Sequence, residues 1–206
     1  MIKKIKSAVF GLGNIGLGDV NKTNYNKLLT HCASLNENRL YDLKFTVDSN
    51  KKRRKICEKY YGVPSFTKIS SISYNNKIDL AVISVPTKSH FILTKNVIKK
   101  FKPKVILMEK PFCDDLKKAI LIKRICKKKN IKLFLNYPRR ILKETQILSR
   151  LIKNRFTYGK IIFSNGLLNN GCHFIDLCNF LFGNYINIKK NNFLSDYSKS
   201  FTIYYS

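Results

Sequence analysis

The sequence predicts an α/β protein with two domains, a doubly wound parallel sheet over residues 1–136 and an incomplete, open-sheet α/β domain over residues 137–206. Three observations carry this prediction. Short apolar runs alternate with amphipathic helical segments through the first two thirds of the chain, as in sheets with helices on both faces. A glycine-rich turn follows the first apolar run, and the alternation changes at Pro138.

The glycine turn lies in the stretch AVFGLGNIG, which places Gly11, Gly13 and Gly16 at the spacing G-x-G-x-x-G after an apolar strand at residues 7–10. In a dinucleotide-binding turn the first glycine permits the tight turn and the second lets a pyrophosphate approach bare backbone. The third lets the following helix pack close to the strand. Because three glycines also occur together in ordinary structural turns, the context has to support the motif.

Asp48 provides that context, since it closes the apolar stretch LKFTVD and can accept hydrogen bonds from ribose hydroxyls. It follows the turn at more than the ~20 residues typical of the motif, so we expect an insertion between Gly16 and Tyr25. The carboxylate favours NAD, because it repels the extra phosphate of NADP. NADP remains an alternative cofactor, because Ser49, Asn50 and the lysines after them follow Asp48. These features predict a Rossmann-type domain.

The rest of the first domain continues the alternation of elements. The predicted helices lie at residues 25–32, 51–61, 89–100 and 116–129, and the predicted strands at residues 79–86, 104–111 and 131–137. Parallel strands joined by right-handed crossovers bind ligands beyond their carboxyl ends. Asp48, Pro86 and Lys110 all fall at such ends.

The second domain is predicted to contain a helix from Pro138 to about Lys153, a strand KIIFSN, a helix from about Asn169 to Gly183 and the strands YINIKK and FTIYY. At about 100° per residue, the second helix carries one apolar stripe, made of Phe174, Leu177, Cys178 and Leu181. By the same arithmetic Asn169, His173 and Asp176 cluster within roughly 60° on another face. A histidine that shares a face with an amide and a carboxylate is a candidate functional group.

Composition excludes several classes of protein. No run approaches the ~18 to 20 apolar residues that cross a membrane, and the basic start runs directly into the glycine turn, so we expect a cytoplasmic protein without a signal peptide. Six cysteines form no C-x-x-C pair and no metal-ligand spacing, which predicts reduced thiols and no metal site. The net charge of +28 leaves a nucleic-acid-binding protein as an alternative. The lysines of this chain are scattered, and its densest basic runs have no interleaved aromatic residues on which bases could stack. Both features disfavour specific nucleic-acid binding.

Several motifs occur in a consistent order: the glycine turn, VISVPTKSH ending at His90, MEKP with Lys110, NYPRR with Arg139 and Arg140, and GCHFID with His173 and Asp176. Together they resemble the Gfo/Idh/MocA oxidoreductases, which are nicotinamide-dependent enzymes acting mostly on sugars, cyclitols and nucleotide sugars. The resemblance covers nearly the whole chain. It implies a Rossmann domain followed by an α/β domain with a large open sheet, and a small-molecule substrate lying between them.

The resemblance also implies roles for individual residues. The residues expected to hold the cofactor, NAD or alternatively NADP, are Gly11, Gly13, Asn14, Ile15, Gly16, Asp48, Pro86, His90, Glu109 and Lys110. Those expected to hold the substrate are Lys110, Arg139, Asn169, His173 and Asp176. His173 is the candidate general base, because the ordinary pKa of histidine, ~6.5, lies nearest neutrality. Lys110 is the second catalytic candidate, stabilising the developing alkoxide.

Two departures from the family qualify these expectations. Many members resemble D-x-G-x-H in the last motif, whereas Asn169 stands at its first position, and an amide does not take a proton at neutral pH. The stretch NNGCHFID looks more like members associated with surface-polysaccharide sugars. Family members also continue beyond the length of this chain, so a truncated, non-catalytic dinucleotide-binding remnant is a further alternative. An open sheet would leave an apolar face and an unpaired edge, which predicts homo-oligomerisation through the second domain.

Overall fold

The computed structural model describes residues 3–19, 30–73, 75–152, 160–163, 166–190 and 201–205. The chain divides into two compact units, Met1–Asn136 and Tyr137–Ser206. Most of the insertion predicted between Gly16 and Tyr25, and most of the helix predicted at residues 25–32, lie outside the described residues.

A parallel sheet forms the centre of the first unit, in the order β3-β2-β1-β4-β5-β6. Its strands are β1 (Ile5–Phe10), β2 (Tyr41–Val47), β3 (Ser65–Phe66), β4 (Leu80–Ile83), β5 (Val105–Met108) and β6 (Lys132–Leu135). The chain builds outward from β1 to β3 and then crosses back to β4, so the strand order reverses between β1 and β4. This order confirms the predicted doubly wound sheet.

The central strands are buried on both faces. Ala8, Val9 and Phe10 of β1 are fully buried, and all four residues of β4 are buried. Near-continuous apolar runs are what strands covered on both faces require. One side of the sheet holds an aromatic cluster in which the ring centroid of Phe10 lies 6.0 Å from Phe45 and 5.9 Å from Phe101.

Within the described residues of this unit, four α-helices cover the sheet: α1 (His31–Glu37), α2 (Lys51–Tyr61), α3 (Thr87–Phe101) and α4 (Leu116–Lys128). The Asn50 side chain caps α2 by accepting a hydrogen bond from the backbone N–H of Arg53. Gly62 ends α2 in the left-handed conformation, with φ of 65°. Asp115 caps α4 in the same way as Asn50 caps α2.

The second unit begins with a 3₁₀ turn at Pro138–Ile141, followed by α5 (Lys143–Leu151). A π-helical turn at Leu167–Gly171 leads directly into α6 (Cys172–Phe182). The strands β7 (Tyr185–Lys190) and β8 (Phe201–Tyr205) pair antiparallel, as a small sheet separate from that of the first unit. The hydroxyl of Tyr205 donates to the side-chain oxygen of Asn179, which ties β8 to α6.

Two elements of the second unit differ from their prediction. The helix predicted from Pro138 to about Lys153 is interrupted at Leu142, whose extended backbone (φ −63°, ψ 138°) separates the 3₁₀ turn from α5. In the segment predicted to form the strand KIIFSN, the described residues 160–163 are not in a strand. Phe163 instead stacks on Phe174 of α6, with ring centroids 6.0 Å apart. None of the helices in the described ranges is long and apolar enough to span a membrane.

Candidate functional site

A cleft of about 1300 Å³ opens in the first unit at the carboxyl edge of its sheet. The predicted cofactor residues that line it are Gly11, Gly13, Asn14, Ile15, Asp48, Pro86, Glu109 and Lys110. They come from the turn after β1 and from the ends of β2, β4 and β5. The cleft therefore lies at the point where the strand order reverses, which is where doubly wound sheets bind their ligands.

The three glycines of the turn differ in how tightly the protein packs against them. Gly11 has φ of +105°, and a Cβ there would lie 2.5 Å from the Ser84 carbonyl oxygen. A Cβ at Gly16 would lie 2.0 Å from the Gly11 carbonyl oxygen. By contrast, a Cβ at Gly13 would meet only Arg53 Nη1, at 3.8 Å. The fold itself therefore does not require glycine at position 13, and the bare backbone there fits the predicted approach of a pyrophosphate.

Asp48 is held rigidly at the end of β2. Its Oδ2 accepts a hydrogen bond from the Leu12 backbone N–H at 2.6 Å, and its Oδ1 accepts one from the Asn50 backbone N–H at 2.7 Å. The guanidinium of Arg54 donates to the backbone carbonyl oxygens of Asp48 and Ser49. Each carboxylate oxygen has two lone pairs, so each can still accept a hydrogen bond from a ribose hydroxyl.

The cleft wall also contains residues that sequence reasoning missed. Arg53 lies beside Gly13, and residues 67–70 form part of the same wall. Lys100, near the end of α3, donates to the carbonyl oxygens of Ile69 and Ile72 and so holds this wall in place. The Asn50 cap is a signal that could have placed Arg53 in the first turn of α2, near the cleft. No local signal indicates the role of Lys100, because its acceptors lie far away in sequence.

Glu109 and Lys110 line the cleft at the end of β5. Glu109 Oε1 accepts hydrogen bonds from His31 Nε2 at 2.8 Å and from Asn136 Nδ2 at 2.6 Å, with the hydrogen of His31 assigned to Nε2. Burial acts to raise the pKa of Glu109, but the hydrogen bonds from His31 and Asn136 outweigh it and place that pKa below its ordinary value. Glu109 is therefore an ionised carboxylate at neutral pH. The next peptide bond, between Lys110 and Pro111, is cis.

Two of the predicted cofactor residues, Gly16 and His90, shape the cleft rather than line it. The His90 ring is fully buried. Its Nε2 lies 2.8 Å from the Val85 carbonyl oxygen and its Nδ1 lies 3.1 Å from the Phe112 carbonyl oxygen. His90 thus joins the segments that follow β4 and β5. A cofactor-binding role for His90 remains a prediction.

In the second unit, Arg140 and Asp176 form a two-pronged ion pair between the 3₁₀ turn and α6. Arg140 Nε lies 2.6 Å from Asp176 Oδ2, and Arg140 Nη2 lies 2.5 Å from Asp176 Oδ1. Paired N–H groups on a carboxylate fix both position and orientation. The hydrogen bonds that Arg140 donates to Asp176 raise the pKa of Arg140. Asp176, predicted to contact substrate, therefore also anchors α6.

His173 lies three residues before Asp176 on α6, so the two side chains share a helix face. Its ring meets that of Tyr137 edge-on, with centroids 5.6 Å apart. Burial is the main cause that raises the pKa of Tyr137 to about 12, which keeps its hydroxyl protonated at neutral pH. The neighbouring guanidinium of Arg139 lies over the ring of Phe174, 4.4 Å from its centroid.

Asn169 lies in the π-helical turn rather than in α6. Because a π-helix has i→i+5 hydrogen bonds and a wider turn, the α-helical arithmetic that placed Asn169 beside His173 does not hold there. The backbone N–H of Gly171 accordingly bonds to the Gly166 carbonyl oxygen, at 3.1 Å. A substrate role for Asn169 remains a prediction, as does a single cleft shared by Lys110 of the first unit and His173 of the second.

The order of the sheet, the open position at Gly13 and the carboxylate at the end of β2 define a dinucleotide-binding domain. Residues 5–137 match the sequence profile of the Gfo/Idh/MocA oxidoreductase family with an NAD-binding Rossmann fold. The chain belongs to this family, which confirms the resemblance found in its motifs. Its first unit is an NAD-binding Rossmann domain.

Solved structures with the same fold cover most of this chain. An oxidoreductase from Agrobacterium radiobacter in complex with NAD+, L-tartaric acid and magnesium has 17% identity and a TM-score of 0.74, over 95% of this chain and 59% of its own. The WlbA dehydrogenase from Bordetella pertussis, in complex with NADH and UDP-GlcNAcA, has 16% identity and a TM-score of 0.71, over 91% and 61%. Scyllo-inositol dehydrogenase from Lactobacillus casei, with bound NAD(H) and scyllo-inositol, has 18% identity and a TM-score of 0.72, over 95% and 61%.

At these identities the similarity establishes the fold. The chain spans less than two thirds of the length of each of these three structures. No curated protein sequence matches the chain.

Proposed function

We propose that this protein is an NAD-dependent oxidoreductase that transfers a hydride between the nicotinamide and a carbinol carbon of a sugar, cyclitol or nucleotide sugar. The observation that carries the proposal is the cleft in which Gly13, Asp48 and Lys110 lie at the ends of three strands. Two structurally similar dehydrogenases, with UDP-GlcNAcA and with scyllo-inositol bound, support the class of substrate. A role in making surface polysaccharides is the more specific form of the proposal.

The first unit supplies the cofactor site. Bare backbone at Gly13 receives the pyrophosphate, and Asp48 accepts hydrogen bonds from the adenosine ribose. Pro86 and Lys110 lie at the ends of β4 and β5, where the strand-end geometry favours the nicotinamide half. The bound nicotinamide supplies the hydride acceptor or donor.

The second unit supplies the candidate base. His173 accepts the hydroxyl proton as the carbinol is oxidised, and Lys110 stabilises the negative charge that develops on the oxygen. Asn169 and Arg139 bind substrate hydroxyl groups or other acceptors. The ion pair of Arg140 with Asp176 holds α6, and with it His173, in a fixed orientation.

The alternative of a non-catalytic dinucleotide-binding protein is separated from this proposal by two measurements. Titration of NADH fluorescence tests cofactor binding, and turnover is then measured with a panel that includes scyllo-inositol and UDP-linked N-acetylated uronic acids. Binding without turnover on such a panel would favour the non-catalytic alternative. The cytoplasmic location and the self-association through the second domain remain predictions, which fractionation and sedimentation would test.

The position of Asp48 predicts that NADH binds more tightly than NADPH, by about tenfold or more, since the carboxylate both accepts ribose hydrogen bonds and repels a 2′-phosphate. Asp48→Ala should narrow this gap, because it removes both effects. The measurement is a pair of fluorescence titrations for each variant.

Asp48→Asn is the matched control for this prediction. It preserves the size of the side chain and an oxygen that can accept from Leu12, while it removes the negative charge, so NADPH affinity should rise. Equal affinities of the unchanged protein for NADH and NADPH would contradict the prediction.

A further inference from the structure

Helix α1 begins at His31 and is attached directly to the glycine turn. The His31 backbone N–H donates to the Ile15 carbonyl oxygen, and the next N–H, of Cys32, donates to the Gly16 carbonyl oxygen, both at 2.9 Å. Cys32 is fully buried beneath this attachment. The first turn of α1 therefore cannot shift without moving the glycine turn.

The His31 side chain reaches to the end of a different strand. Its Nε2 lies 2.8 Å from Glu109 Oε1, and each of the two side chains is only 12% exposed. β1 and β5 are not neighbours in the sheet, because β4 lies between them. The His31–Glu109 hydrogen bond is thus a direct link from the glycine turn after β1 to the residues that end β5.

Glu109 is the point at which several elements meet. Asn136, after β6, donates to the same carboxylate oxygen at 2.6 Å, and the Glu109 backbone N–H donates to Ile83 of β4 at 2.9 Å. The backbone N–H of Lys110 also donates a hydrogen bond to the Glu109 carboxylate, which helps to lower the pKa of Glu109. Because hydrogen bonds to an ionised carboxylate are about twice as strong as neutral ones, this arrangement fixes the peptide that carries Lys110.

We propose that His31 is a positioning residue, which couples the glycine turn to the Glu109–Lys110 peptide and so sets the position of Lys110 at the nicotinamide end of the cleft. The link stands on the hydrogen bonds of the first unit, whereas its consequence for the cofactor rests on the proposed function. No part of the sequence motif around the glycines or around Lys110 assigns this role to His31.

The alternative is that His31 only stabilises α1, and three variants separate the two roles. His31→Ala removes the donor to Glu109. His31→Gln keeps an N–H donor at a similar reach. Thr30→Val is the matched control, because it removes the hydroxyl that caps α1 by accepting from the Ala33 N–H. It removes neither of the two groups that form the His31–Glu109 bond.

The first measurement needs no cofactor. Hydrogen exchange of the Glu109 and Lys110 amides is compared with that of Leu80–Ile83, the buried β4 segment that reports global opening. We expect His31→Ala to accelerate exchange at Glu109 and Lys110 by about tenfold relative to β4, the effect of losing one charge-assisted hydrogen bond. In His31→Gln and Thr30→Val, the ratio of the exchange rates at Glu109 and Lys110 to those in β4 should stay within about twofold of its value in the unchanged protein.

The second measurement is NADH affinity, which His31→Ala should lower by about five- to tenfold and His31→Gln should largely restore. An unchanged exchange ratio in His31→Ala, failure of His31→Gln to rescue it, or an equal effect of Thr30→Val would each overturn the coupling. If the exchange ratio changes as expected and the unchanged protein does not bind NADH, the coupling is supported and the proposed function fails instead.

Discussion

Replacing Gly13 with valine is expected to weaken NADH binding by at least about a hundredfold, or roughly 2.7 kcal/mol, while the protein stays folded. Gly13 is not among the glycines with positive φ, so a side chain is compatible with its backbone. The nearest atom to an added Cβ is the mobile end of Arg53, at 3.8 Å. The side chain would instead occupy the space through which a pyrophosphate reaches the backbone.

Gly16→Ala is the matched control for this substitution. A Cβ at Gly16 would lie 2.0 Å from the Gly11 carbonyl oxygen. This variant should therefore lose thermal stability as well as affinity for NADH. Thermal unfolding and NADH titration on the same preparations separate the two effects. A Gly13→Val protein that binds NADH normally, or that unfolds as readily as Gly16→Ala, would contradict the assignment of the pyrophosphate position.

Much of the first unit could be predicted because its signals are local. Buried parallel strands require apolar runs, and the run at residues 79–86 contains β4. Gly62 stops α2 through its own backbone conformation, which is a property of glycine itself. The strand β3 was missed because two residues, Ser65 and Phe66, are too few to show a period.

The contacts that organise the cleft were not predictable, because they join residues far apart in sequence. His31 and Glu109 are separated by 78 positions, and no sequence motif contains both residues. His90 ends one of the motifs quoted from the sequence, but a motif does not tell whether a side chain faces a ligand or the protein interior. Only the burial of His90 against Val85 and Phe112 distinguishes these outcomes.

The second unit was harder to predict, for a different reason. A π-helical turn and an α-helix differ by one residue in their hydrogen-bond register, so the polar spacing around Asn169 looks the same for both. The break at Leu142 has no glycine or internal proline to signal it. Arg140 and Asp176 lie in two separate sequence motifs, and nothing in either motif indicates that they form an ion pair.

Replacing His173 with alanine is expected to lower turnover on a substrate of the proposed class by about 10²- to 10⁴-fold, the usual contribution of a positioned general base. NADH affinity should change little, since His173 belongs to the second unit and the dinucleotide cleft is formed by the first. Lys110→Ala should lower turnover as well, with a larger loss of NADH affinity, because Lys110 lines that cleft.

His173→Phe separates catalysis from packing. A phenyl ring can keep the edge-on contact with Tyr137, at a centroid distance of 5.6 Å in the unchanged protein, but it has no nitrogen to accept a proton. If His173 is the base, His173→Phe should retain the thermal midpoint and lose turnover as completely as His173→Ala. If His173 only packs against Tyr137, His173→Phe should keep both stability and turnover, and the loss in His173→Ala should follow its loss of folded protein. Turnover per folded molecule, measured beside the thermal midpoint for both variants, therefore decides whether the histidine of α6 carries the proton transfer.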